Sequence, residues 1–188
     1  MNPGGGKPRI GVIGQSGEVP PEMIRAADVV GREIAKRGGI LFCGGRDGVM
    51  EACCKGAVAE GGITVGILPY DDPTEGNPYL TVPVTTGLDF EYRSMVLIHA
   101  VDAVIMIGGG CGTLTELATA YLNCKPVIVL DSTGGWAARV KWIALESKYL
   151  DERKNTELAF VEDPVQAVAI AFEACSAKKP PNRRAHHG

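Results

Sequence analysis

Apolar runs of strand length recur along the chain, and most of their residues are Val and Ile. These runs do not alternate with polar residues as a half-exposed strand would. The pattern therefore predicts strands that are covered on both faces of a parallel sheet. The predicted strands are Ile10–Ile13, Ile40–Cys43, Thr64–Leu68, Ala103–Ile107 and Val127–Leu130.

Segments with helical spacing of apolar residues lie between the predicted strands. The first opens at Pro21 and stops before Gly38, which fits the preference for proline at a helix start and glycine just past its end. The predicted helices are Pro21–Arg37, Val49–Glu60, Phe90–Ala100, Thr113–Asn123 and Asp163–Ala174. Strands that alternate with helices predict an α/β fold, namely a three-layer, Rossmann-like, doubly wound parallel sheet.

The chain has 188 residues, enough for one substantial core, and no internal repeat or linker divides it. We expect one domain over residues 9–176, a flexible N-terminus over residues 1–8, and a disordered tail over residues 177–188. The net charge of −3 disfavours a nucleic-acid partner. Because the apolar runs are short and the N-terminus does not resemble a signal peptide, we expect a cytoplasmic protein with no membrane partner.

The six cysteines show no CxxC pair and no spacing typical of a zinc site or a disulfide framework. We therefore expect reduced thiols that behave as small hydrophobic residues, and no metal site. Cys111 differs from the others because it lies at a predicted helix N-terminus, where the pKa of a thiol is lowered. Its sequence position fits either a reactive thiol or a tolerated loop residue.

Three glycine-rich turns follow three of the predicted strands: Gly14–Gly17, Gly44–Gly48 and Gly108–Gly112. In a parallel sheet, all three lie at the carboxyl edge, where ligands bind. The third turn also opens a helix, whose first amides and dipole attract a phosphate. The candidate ligand residues are Gly14, Ser16, Gly17, Gly44, Gly45, Arg46, Gly108, Gly109, Gly110, Cys111, Gly112 and Thr113.

Two polar residues in these turns have alternative roles. Ser16 either donates to a phosphate or closes its own turn, and Asp47 either caps the following helix or touches a ligand. The spacing of the glycines is neither the GxGxxG dinucleotide fingerprint nor a GxxxxGK[ST] P-loop. The turns therefore predict the class of ligand, a phosphorylated molecule of nucleotide size, but not its identity.

The order of these motifs resembles the Lonely Guy (LOG)-like superfamily, often labelled "lysine decarboxylase-like". The resemblance rests on Gly44–Glu51, Gly61–Pro69 and Gly108–Glu116, and it extends over roughly residues 9–174. Three shorter segments look like the prokaryotic branch that includes molybdenum-cofactor carrier proteins: Gly76–Leu80, Thr86–Phe90 and Gly134–Trp136. The resemblance implies a homodimer or homotetramer.

In the phosphoribohydrolases of this superfamily, a catalytic arginine precedes the glutamate of a PGGxGTxxE motif by 23 positions, and Arg93 and Glu116 have this separation. The resemblance implies that Arg93 orients the ligand and that Glu116 assists cleavage of the N-glycosidic bond. A nucleoside 5′-monophosphate would then yield free base and ribose 5-phosphate, with no cofactor required. Alternatively, Arg93 is a surface residue paired with Glu91 or Asp89, and Glu116 is a first-turn acid that complements the helix dipole.

The carrier proteins of the superfamily imply a second function, in which the chain binds molybdopterin, a phosphorylated pterin, without cleaving it. Ser94 stands where the phosphoribohydrolases have lysine, and Glu91-Tyr92 replaces their His-Glu. Nothing in the sequence suggests a pyridoxal phosphate site, so we do not expect lysine decarboxylation. The loop Asp71–Pro78 is a candidate lid over the ligand.

Overall fold

The computed structural model describes residues 6–177 and shows a parallel sheet with helices on both faces. The strands are β1 (Arg9–Gly14), β2 (Ile40–Cys43), β3 (Ile63–Leu68), β4 (Val82–Thr85), β5 (Ala103–Ile107), β6 (Val127–Leu130) and β7 (Leu158–Val161). The α-helices are α1 (Pro21–Lys36), α2 (Val49–Ala59), α3 (Phe90–Ala100), α4 (Cys111–Leu122), α5 (Ala137–Ile143) and α6 (Pro164–Ser176). The predicted fold class is confirmed. Except for residues 6–8 and 177, the predicted N-terminus and tail lie outside the described residues.

The strand order is β4-β3-β2-β1-β5-β6-β7, and every neighbouring pair is parallel. From β1 the chain adds β2, β3 and β4 on one side of the sheet. It then adds β5, β6 and β7 on the other side of β1. This reversal opens a crevice at the carboxyl ends of β1 and β5, where Gly14 pairs with Ile107.

Two apolar layers enclose the sheet. Successive residues of a strand point to opposite faces, so Val12 and Ile105 join the layer formed with α1, α2 and α6, whereas Ile13 and Met106 join the layer formed with α3, α4 and α5. The sheet is therefore apolar on both sides, as the unbroken Val and Ile runs predict. Within residues 6–177, no helix has both the length and the apolar character needed to cross a bilayer.

The sequence pattern did not predict three of the elements. β4 is an exposed edge strand that contains Pro83, and such a strand needs no apolar alternation. α5 has seven residues, about two helical turns, which is too few to show a periodicity, and β7 is a four-residue edge strand whose middle two residues are only half-buried. These elements extend the sheet and cover one end of it.

The start of α4 corrects one prediction. The helix begins at Cys111, two residues before the predicted start at Thr113, because Gly110 already acts as its N-cap. Glu116 therefore lies on the second turn of α4 and not on the first. Its side chain is buried, so it is not an exposed acid that merely complements the helix dipole.

Candidate functional site

A cavity of about 400 Å³ opens at the carboxyl ends of β1 and β5, within the size range of ligand pockets. It brings together these predicted site residues: Gly14, Ser16, Gly44, Arg93, Gly110, Cys111, Gly112, Thr113 and Glu116. The predicted residues Gly17, Gly45, Arg46, Gly108 and Gly109 are not part of its lining. The three glycine turns thus meet at one edge, although only some of their residues reach the cavity.

The turn between β5 and α4 is fixed by hydrogen bonds to the segment that precedes α5. Gly108 N donates to the Thr133 hydroxyl at 2.8 Å, and the Gly109 carbonyl accepts from Trp136 N at 3.0 Å. Gly109 has a φ of 105° and a Cβ there would collide with Thr113, so the turn requires glycine at this position. Gly108 and Gly109 therefore shape the turn and do not line the cavity.

The N-terminus of α4 faces the cavity. Gly110 and Gly112 both line the cavity, and a Cβ at either position would meet no atom within 4 Å. The first amides of a helix lack intrahelical acceptors and lie at the positive end of its dipole. This end of α4 can therefore accept an anionic group close to the backbone.

The first two glycine turns are tied to each other and to the core. Gly17 N donates to Asp47 Oδ1 at 3.1 Å, and Gly45 N donates to Cys43 Sγ at 3.3 Å. Both amides are thus engaged within the protein. Asp47 does not cap α2, whose N-cap is Gly48 without a side-chain hydrogen bond, so its role is to join the two turns.

Arg46 lies beside the cavity in a separate hollow. Its guanidinium pairs with Glu75 at 3.6 Å and stands 5.3 Å from the ring centre of Phe90. The hollow also contains Asp47, Glu51, Gly76 and Asn77. Phe90 lines the cavity, so Arg46 contacts the cavity wall through this ring.

Arg93 projects from α3 into the cavity wall and is only 6% exposed. Its guanidinium packs so closely on Gly44 that a Cβ there would overlap Nη1. Within residues 6–177, Nε and Nη1 have no hydrogen-bond partner, and Asp89 instead caps α3 by accepting from Tyr92 N. The surface-pairing alternative therefore does not describe Arg93.

Burial lowers the pKa of Arg93, but the nearby Glu116 carboxylate and Cys43 act in the opposite direction, and an arginine remains charged in any case. A buried cation with unsatisfied donors is costly, since each unmade hydrogen bond leaves the desolvation penalty uncompensated. Arg93 is therefore suited to an anionic ligand that enters the cavity.

Glu116 is 8% exposed and accepts a hydrogen bond from the Ser94 hydroxyl at 2.9 Å. Burial raises the pKa of its carboxyl to about 7, although Arg93 and Ser94 both favour the charged form. At neutral pH, this carboxyl therefore exists in both protonation states, as a general acid or base should.

Several cavity residues were not singled out as ligand-binding candidates by the sequence. They are Val12, Ile13, Gln15, Met50, Phe90, Glu91, Ser94 and Thr115. Phe90 is the most informative because its ring centre lies 5.3 Å from the Arg46 guanidinium, 5.9 Å from that of Arg93 and 5.7 Å from the Tyr70 ring. Its position directly after the helix-capping residue Asp89 is a sequence signal that could have identified it as a cavity residue.

The fold and the cavity define a Rossmann-like α/β protein with a buried arginine and glutamate beside a glycine-rich helix N-terminus. A family model described as the SLOG cluster4 family matches residues 7–168. The chain belongs to this family, and its membership of the LOG-like superfamily is confirmed.

Three relatives show the range of the superfamily. A cytokinin riboside 5′-monophosphate phosphoribohydrolase from Mycobacterium tuberculosis is 30% identical over 168 residues, covering 82% of this chain and 86% of that protein. The molybdenum cofactor binding protein from Rippkaea orientalis is 30% identical, with a TM-score of 0.78 over 90% of this chain and 98% of that structure. The molybdenum cofactor carrier protein from Chlamydomonas reinhardtii is 28% identical, with a TM-score of 0.76 over 90% and 99%.

Proposed function

We propose that the protein binds a phosphorylated, nucleotide-like small molecule in the cavity. The phosphate would lie at the N-terminus of α4, where Gly110 and Gly112 leave the backbone accessible. Arg93 would donate from its unsatisfied Nε and Nη1 atoms to the same anionic group. The heterocycle would pack on the exposed ring of Phe90.

We further propose that the ligand is a nucleoside 5′-monophosphate and that the protein hydrolyses its N-glycosidic bond. The observation that supports this proposal is the carboxyl of Glu116, which has a pKa of about 7 and lies in the same cavity as Arg93. The bond between C1′ and the base nitrogen would break while a water oxygen bonds to C1′. Ionised Glu116 would accept the water proton and then pass it to the departing base, giving free base, ribose 5-phosphate and ionised Glu116 again.

A panel of nucleoside 5′-monophosphates, followed by chromatography of the released base, tests this function. We expect base and ribose 5-phosphate in equal amounts from at least one member of the panel. Glu116→Gln should lose turnover by about 100-fold or more yet still bind the ligand, because general acid–base catalysis contributes on that scale. No base release from any member would contradict hydrolysis.

Glu91→Gln is the matched control. Glu91 also lines the cavity but its carboxyl is exposed, so removing its charge should leave the catalytic rate close to that of the wild type. Equal losses in both variants would mean that the cavity's negative charge, and not the Glu116 proton, determines the rate.

The second candidate function is binding and carriage of molybdenum cofactor. It is favoured by the two solved structures of cofactor-binding proteins that match nine-tenths of this chain. The phosphate of molybdopterin could use the same helix N-terminus and Arg93, and no bond would be cleaved. These residues fit the anionic end of the cofactor, and the pterin would occupy the Phe90 side of the cavity.

Oxidation of the purified protein, followed by pterin fluorescence, tests the carrier function. A carrier should yield a fluorescent pterin and should protect added cofactor from oxidation, and Arg93→Met should lose this protection. Glu116→Gln should retain it, because carriage needs no proton transfer. Base release without any cofactor protection would favour the hydrolase, and the reverse would favour the carrier.

A further inference from the structure

Behind the cavity wall, three thiols meet in the core. Cys43 is the last residue of β2, and Cys53 and Cys54 are adjacent on α2. All three side chains are fully buried, and their sulfur atoms lie within 4.8 Å of one another. The sequence spacing predicts no such cluster, because nine residues lie between the strand cysteine and the first helix cysteine.

The distances within this thiol cluster suit a metal ion. The Sγ atoms of Cys43 and Cys54 are 3.5 Å apart. Three sulfurs in a plane around one ion, each at a metal–thiolate distance of about 2.3 Å, would be about 4 Å from each other. The sulfurs therefore need to move by only a few tenths of an ångström for the strand–helix pair to reach this geometry.

The chemistry of the donors selects the ion. Zinc in structural sites takes four ligands, and iron–sulfur clusters take four cysteines. Within residues 6–177, no His, Asp, Glu or further Cys joins the three thiols. A soft ion that accepts three thiolates without a fourth ligand is Cu(I).

The surroundings already stabilise negative charge on sulfur. Gly45 N donates to Cys43 Sγ at 3.3 Å, and the positively charged guanidinium of Arg93 packs on Gly44, the residue that follows Cys43. The Cys53 thiol donates to the Met50 carbonyl at 3.1 Å, and the Cys43 and Cys54 sulfurs share one hydrogen bond in which either can be the donor. A soft cation at the centre of the cluster would replace these S–H contacts with metal–sulfur bonds.

We propose that Cys43, Cys53 and Cys54 form a buried three-coordinate site for Cu(I). Three Cu–S bonds form, the S–H bonds of Cys43, Cys53 and Cys54 break, and their three protons leave to solvent. Copper stays in the +1 state throughout. Arg93, which packs on Gly44 directly after Cys43, offsets part of the negative charge of the complex.

Anaerobic titration with Cu(I), supplied as its acetonitrile complex, tests this proposal. The starting protein is the Cys111→Ser/Cys124→Ser variant, because Cys111 and Cys124 are the exposed thiols among the described residues. We expect one copper per chain by native mass spectrometry, Cu(I)–thiolate luminescence, and retention of copper against bathocuproine disulfonate. The affinity should rise with pH, since binding releases protons.

Cys54→Ala and Cys175→Ala, each made in this starting protein, are the matched pair. Both remove a buried thiol, but Cys175 lies on α6 outside the thiol cluster. Cys54→Ala should lower Cu(I) affinity by about 100-fold or more, the effect expected for losing a ligand, and Cys175→Ala should not. Equal affinities in the two variants would overturn the proposal.

X-ray absorption of the copper-loaded starting protein gives a second test that needs no ligand variant. Three sulfur neighbours at about 2.3 Å would support the site. Fewer sulfurs, or added nitrogen or oxygen neighbours, would overturn it. A Cys43–Cys54 disulfide formed by mild oxidation, in a protein that binds no copper, would overturn it in favour of a redox-active pair.

Discussion

Ser94 on α3 and Glu116 on α4 are joined by a hydrogen bond that fits both protonation states of the carboxyl. The Ser94 hydroxyl lies 2.9 Å from Glu116 Oε1 and 3.0 Å from the Phe90 carbonyl, but it has only one proton to donate. When Glu116 is ionised, Ser94 donates to it. When Glu116 is protonated, its O–H can donate to the Ser94 oxygen, and Ser94 donates to Phe90. The pair can therefore exchange a proton with a ligand without leaving an unsatisfied group.

Ser94→Ala tests this relationship. Losing the hydroxyl removes a donor that stabilises the ionised carboxyl, so the pKa of Glu116 should rise above about 7, by about one pH unit. The pH dependence of base release, or a carbon-13 NMR titration of the labelled glutamate, measures this change. Ser94→Thr keeps a hydroxyl and should leave the pKa nearly unchanged. An unaltered titration in Ser94→Ala would contradict the proposed role of the hydroxyl.

Glu116→Gln should make the folded protein more stable at neutral and alkaline pH. The folded-state pKa of about 7 lies above the ordinary value of 4.5, so the folded state binds the proton more tightly than the unfolded state does. Stability contributed by this carboxyl is present in full below pH 4.5 and is lost as the pH rises to about 7. The difference corresponds to about 3 kcal/mol.

Urea unfolding of the wild type and Glu116→Gln, measured from pH 4 to pH 8, checks this sign. The two free energies of unfolding should diverge as the pH rises, with the variant the more stable above pH 7. Glu91→Gln should show no such divergence, because that carboxyl is exposed. A variant that is less stable than the wild type at pH 8 would show that ionised Glu116 does not destabilise the folded state.

The sequence predicted the centre of the sheet well because burial on both faces leaves a clear pattern. Val127–Leu130 and Ala103–Ile107 are bounded by the same residues in the prediction and in the structure. The edge strand β4 carries no such pattern, since solvent covers one side of it and Pro83 interrupts it. Elements at the margin of the sheet are thus the ones that sequence periodicity misses.

The site was predicted in part, for a similar reason. The glycine turns are visible within short segments of sequence, and the spacing of Arg93 and Glu116 is visible through the family resemblance. Arg93 and Glu116 both line the cavity. The engagement of Gly17 N by Asp47 depends on how two turns pack, and no pattern along one segment reports it. The thiol cluster likewise arises only when β2 meets α2.

Gly44→Ala should weaken ligand binding by displacing Arg93. A Cβ at this position would overlap Nη1, the end of a flexible side chain, so the guanidinium should move while the fold is retained. Losing its charge-assisted hydrogen bonds should cost about tenfold to 100-fold in affinity for the ligand. Isothermal titration with inorganic phosphate or a nucleoside monophosphate measures the change.

A double variant separates this mechanism from general damage to the cavity. In an Arg93→Met background, Gly44→Ala should produce little further loss, because the group that it displaces is already absent. Full additivity of the two losses would contradict the proposed link between Gly44 and Arg93. Gly6→Ala, at a position where a Cβ meets nothing within 4 Å, is the control for the added methyl group.

The outer face of α3 predicts a contact between copies of the chain. Tyr92, Met95 and Val96 recur at helical spacing and are exposed, at 60%, 46% and 38%, while Arg93 and Leu97 of the same helix are buried. The helix thus presents an apolar face to solvent and Arg93 to the cavity.

Light scattering after size exclusion should give a dimer or tetramer for the wild type and a monomer for Met95→Glu, because a buried unpaired charge is costly. Trp142→Glu on α5 is the control: Trp142 is 86% exposed but belongs to a different helix, so this variant should keep the wild-type mass. A monomeric wild type would contradict the predicted oligomer, and dissociation by Trp142→Glu alone would move the contact from α3 to α5.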